Sequence, residues 1–131
     1  MGKRLAAFTE ATDLAYKIKR AEDYWCAHMY AQRGEDDSFQ ELTPEDEEAL
    51  LAEFKLAIKE LTRISHLASF TLSTRTSEIL TQYLKAYNAI YPSWWDDEID
   101  NYEATERSSE LINDLLPFLL HEAKIELRLP A

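Results

Sequence analysis

The sequence contains one cysteine, two glycines and four prolines among its 131 residues. A single thiol, Cys26, cannot close an intrachain disulfide and fits a reducing compartment. So few turn formers argue against an all-β fold, which needs frequent turns. Two glycines also cannot supply the backbone cradle of a phosphate-binding loop. No apolar run approaches the roughly 20 residues that span a bilayer. The first residues carry a basic pair, Lys3 and Arg4, but reach acid at Glu10 without a signal-peptide core. Ala6 stands where a myristoylation signal takes Ser or Thr. A cytoplasmic protein with no membrane contact is the expectation.

Basic residues are scarce as well. Fourteen Lys and Arg against 25 Asp and Glu leave a net charge of −11. That balance argues against direct binding of nucleic acid or an anionic membrane, and it suits a basic protein partner. The distribution says more than the total. No basic residue falls between Arg33 and Lys55, where Asp36, Asp37, Glu41, Glu45, Asp46, Glu47 and Glu48 lie. None falls between Lys85 and Arg107, where Asp96, Asp97, Glu98, Asp100, Glu103 and Glu106 lie.

What the chain does have is helical periodicity. From Thr43 to Ala68 it is clearest. Thr43 suits an N-cap and Pro44 the first helical position, and the acids that follow complement the positive end of the helix dipole. Leu50, Phe54, Ala57, Ile58, Leu61, Ile64 and Ala68 then share one face at spacings of three and four. A first helix is expected over residues 4–33, with Phe8, Ala11, Ala15, Ile18, Trp25 and Met29 on its face and Gly34 closing it. Thr9 offers a later start.

No Gly or Pro interrupts residues 45–91. One helix of that length would be about 70 Å long at 1.5 Å per residue, and would imply an extended dimer. The Ser- and Thr-rich stretch Ser69 to Ser77 instead predicts a turn near Thr71 to Thr74, with Ser73 or Thr74 capping the next helix. The second helix then covers 44–70 and the third 74–91, the latter stopping before Pro92. One of Trp94 and Trp95 is expected to be buried. A fourth helix is expected over 98–128, with a kink or break at Pro117. Four amphipathic helices with short connections predict a single all-α domain, a four-helix bundle with an up-down-up-down path.

Motifs for chemistry are missing. Trp25, Arg63 and Phe118 stand three residues before His28, His66 and His121, so no Glu-x-x-His metal motif exists. HExxH and CxxC are absent. Asp96 to Arg107 mimics the start of a calcium loop, but Asn101 replaces its glycine and Arg107 its final glutamate. No metal, cofactor or catalytic group is expected, and an enzyme is disfavoured.

Three functions are compatible with this pattern. The first is an adaptor, inhibitor or immunity-like factor that binds a basic partner. Trp94, Trp95, Asp96, Asp97, Glu98, Asp36, Asp37 and Glu47 would form its binding end, because a bundle brings both acidic blocks together there. The plainer reading is that acids collect at helix starts for dipole reasons and that both tryptophans are core. The second is a nucleic-acid mimic, which would need carboxylates spaced like phosphates. The third is a ligand-binding or enzymatic bundle using His28, Tyr83 and Tyr87, although an aromatic stripe at helical spacing is more often core. A homodimer could cover surplus apolar surface on the first or last helix.

Overall fold

A computed structural model describes residues 2–34, 38–96 and 98–126. Four helices follow in order: α1 (Gly2–Gln32), α2 (Pro44–Thr71), α3 (Thr74–Trp95) and α4 (Asn101–Glu126). The described residues contain no strand. Each helix packs on its two neighbours in a ring, α1 on α2 and α4, and α3 on α2 and α4.

Local chemistry sets the helix ends. The Thr43 hydroxyl accepts from the Asp46 N–H at 3.2 Å, and Pro44 opens α2 where its missing N–H costs nothing. Residues 45–91 are two helices. Leu72 and Ser73 leave helical geometry between them, and the Ser73 hydroxyl accepts from the Thr76 N–H at 3.1 Å. Gly34, at φ +76°, closes α1 in the left-handed region that a side chain would strain. Asp100 caps α4 by accepting from the Glu103 N–H at 2.7 Å. α1 begins at Gly2, so Thr9 is inside it.

Pro92 does not end α3. The helix continues to Trp95, with the Asp96 N–H bonded to the Pro92 carbonyl at 2.9 Å. Proline fixes a φ compatible with helix, but it forfeits its own donor and crowds the carbonyl four residues back. A helix near its end can lose that donor and still complete one more turn. α4 likewise runs through Pro117 as one helix, so no break occurs there. Ile112, Leu115, Leu116 and Leu119 are buried on both sides of it and hold the two halves against the core.

The stripes read from the sequence form that core. Leu50, Phe54, Ala57, Leu61, Ile64 and Ala68 are buried, with Ile58 packed at the edge. They meet Phe8, Ala11, Ala15 and Ile18 of α1, Leu80, Tyr83 and Leu84 of α3, and the α4 leucines. Each fully buried large side chain contributes roughly 1.5–3 kcal/mol. Polar pairs mark the register: Glu10 with Arg63, Arg20 with Glu53, and Tyr24 with Glu47. The α2 partners descend as the α1 positions ascend.

Candidate functional site

Both acidic blocks meet the last third of α1. From α2 and the loop before it, the Glu47 carboxylate accepts from the Tyr24 hydroxyl at 3.0 Å, and Glu41 lies 3.0 Å from His28 Nε2. The Tyr24 oxygen in turn accepts from the Leu42 N–H at 3.0 Å. Phe39 packs edge-on against the His28 ring and tilted on Tyr24. From α4, Glu106 accepts from the Tyr30 hydroxyl, and Tyr102 packs edge-on against Tyr30 while the Arg33 guanidinium lies 4.1 Å over its ring.

The end of α3 adds an aromatic cluster to the same pole. Tyr91 stacks on Trp95 with ring centres 6.1 Å apart and tilts against Trp94 at 5.8 Å. Neither tryptophan is buried: Trp94 is 37% exposed and Trp95 68%, with Tyr91 at 63%. This corrects the expectation of one core tryptophan. Because α3 continues past Pro92, Trp94 and Trp95 sit on its last turn, beyond the part of the helix that packs in the core.

Below that cluster lies a cavity of about 350 Å³. Its walls are Trp25, Phe54, Tyr87, Tyr91 and Trp94, and its polar lining includes Glu22 and Ser108. Glu22 is 3% exposed and accepts a short hydrogen bond from the Ser108 hydroxyl. Burial pushes its carboxyl from 4.5 up to about 7, reinforced by the Asp23 charge and opposed by the Ser108 bond. Burial and then the Glu22 charge push the Tyr87 phenol up to about 12. The Tyr83 phenol is raised for the same reasons, and its buried hydroxyl has no hydrogen-bond partner.

The residues singled out in the sequence are therefore placed as follows. Trp94, Trp95, Asp96 and Glu98 are exposed at one end, and Glu47 is half-buried near it. Asp36, Asp37 and Asp97 lie outside the described residues. Tyr87 lines the cavity and stacks on Tyr83, whose ring lines a second groove between α3 and α4. The acid that shares the cavity with Tyr87 is Glu22, while His28 sits with Tyr24, Phe39 and Glu41. His28, Glu41 and Glu47 bring three potential ligand atoms within 4.8 Å of one another. Tyr24 and the His28 ring already offer hydrogen bonds to those two carboxylates, so hydrogen bonding alone accounts for the cluster.

Sequence reasoning passed over Glu22 and Ser108, although a signal was present. Glu22 falls four residues after Ile18 and three before Trp25, in phase with the α1 stripe. Ser108 falls four residues before Ile112, in phase with the α4 stripe. A polar residue on an apolar face is the mark of a buried polar pair. Comparison of the chain with protein-family models, curated proteins and solved structures finds no match.

Proposed function

We propose that this chain acts by protein–protein interaction, taking a basic partner at the pole formed by the end of α3 and the start of α4. The observation that carries this reading is the exposed Tyr91–Trp94–Trp95 cluster beside Asp96 and Glu98. Large rings left in water favour burial against a partner, and aromatic anchors dominate binding energy at interfaces. Asp96 and Glu98 make no ion pair among the described residues, so their charge is available to steer a cationic surface.

The test is capture from the source cell's lysate on the tagged chain, eluted in a salt series. A single basic partner is expected, released as salt screens the contact, and recovered about tenfold less well by Trp95→Ala. A partner held equally by Trp95→Ala would place the contact elsewhere. Competition by DNA for that partner would instead favour a nucleic-acid mimic.

A further inference from the structure

Two glutamates are buried among the described residues, and the fold treats them differently. Glu122, 4% exposed, has the Arg75 guanidinium at 3.1 Å. Glu22 has the Ser108 hydroxyl and no lysine, arginine or histidine among the described residues. A carboxylate removed from water costs several kcal/mol unless a cation or a proton compensates it. Glu22 lines a cavity that also holds the rings of Trp25, Phe54, Tyr87, Tyr91 and Trp94, and ring faces attract cations. Among the described residues, no basic side chain lines that cavity.

We propose that this cavity binds a protonated amine, with the Glu22 carboxylate as its counter-ion and the surrounding rings as its walls. The volume of about 350 Å³ lies within the range of small-ligand sites, and exposed Tyr91 and Trp94 at its rim give access from solvent. An alkylammonium carries three N–H donors. Glu22 takes one, and Asn88, Asn101 and Thr105 bring further side-chain oxygens to the same cavity. The amine is either a free small molecule or a lysine side chain of a basic partner. Only the second source rests on the surface reading above.

The site is pH-dependent in a defined direction. The titratable groups facing Glu22 are Asp23 and Cys26 on its own helix and Tyr83 and Tyr87 from α3, and Tyr91 lines the same cavity. α4 contributes Ser108 and α2 contributes Phe54, neither of which titrates in this range. Glu22 titrates near 7, so its charged form falls about tenfold between pH 8 and pH 6, and amine affinity falls with it.

Trp25 and Trp94 line the cavity, so their fluorescence reports occupancy. The full chain is titrated with n-butylamine, with n-butanol, and with a blocked Gly-Lys-Gly peptide and its lysine-acetylated form. At least one amine is expected to bind saturably, the alcohol and the acetylated peptide not, with about tenfold weaker amine binding at pH 6 than at pH 8. Glu22→Gln, verified as folded by circular dichroism, is expected to lose binding by at least about tenfold. Binding of butylamine alone assigns a free amine; binding of the lysine peptide assigns a partner's side chain. Equal binding of amine and alcohol, amine affinity unchanged in Glu22→Gln or between pH 8 and 6, or no amine binding at millimolar concentration would overturn the proposal. Should Glu22→Gln not fold, the alcohol and pH comparisons still decide. Amine binding that persists while Trp95→Ala leaves partner capture intact would refute the surface reading alone.

Discussion

Glu22 couples the stability of the molecule to pH. Its carboxyl titrates near 4.5 when unfolded and near 7 when folded, because burial disfavours the charged form. The folded state therefore holds the proton more tightly. The stability tied to Glu22 is fully present below pH 4.5, falls as pH rises toward 7, and is lost above it; the span is about 3 kcal/mol. Glu22→Gln keeps an acceptor for Ser108 and removes the charge. Urea unfolding at pH 5 and pH 8 is expected to show a smaller loss of stability in the variant than in the parent chain. An identical loss in both would mean that Glu22 does not titrate in that window. Cys26 gives a second residue-scale expectation. Burial raises its thiol above the ordinary value, the charges of Glu106, Glu22 and Asp23 add to that, and a contact with Ser109 opposes it. Alkylation at pH 8 is expected to be slower than for free cysteine and to speed up in urea.

The helices themselves carry predictions about caps and prolines. Ser73→Ala removes the acceptor for the Thr76 amide and is expected to cost about 1 kcal/mol in denaturant unfolding. Pro117 is exposed within a continuous α4, where its ring denies the Asn113 carbonyl a donor. Pro117→Ala is expected to stabilise the chain by up to about 3 kcal/mol; a destabilised variant would mean that the helix is built around the proline. These caps and stripes were legible in the sequence because they depend on neighbours three and four residues apart. Thr43 and Ser73 act through hydroxyls that reach amides three residues on, Gly34 through its own backbone, and Leu61 or Ile112 through period alone. The extension of α3 past Pro92 was not legible, since the local rule against helix before proline competes with a turn that closes through Asp96. The Glu22–Ser108 pair was half legible. Each residue sits in phase with its stripe, but the contact joins positions 86 residues apart. No local pattern reports which two stripes face each other.

At the scale of the molecule, charge and aromatic surface concentrate at one pole. Polar pairs across the rest of the bundle match opposite charges, as in Glu10 with Arg63 and Arg75 with Glu122. The pole at the start of α4 instead sets Asp96, Glu98 and Asp100 beside the exposed rings of α3. Elsewhere, Phe70, at the end of α2, is the most exposed large apolar side chain among the described residues. No described helix is long and apolar enough to cross a membrane. The most direct measurement compares two doubly charge-reversed chains that carry the same net charge. Asp96→Lys with Glu98→Lys alters the acidic pole; Asp13→Lys with Glu78→Lys alters exposed positions on the first half of α1 and the start of α3. Affinity for the captured basic partner is measured by titration at fixed salt. The first variant is expected to bind at least about tenfold more weakly, the second nearly as well as the parent. Equal weakening in both would mean that overall charge, not this pole, governs binding. An unchanged affinity in the first would contradict the assignment of the pole as the binding surface.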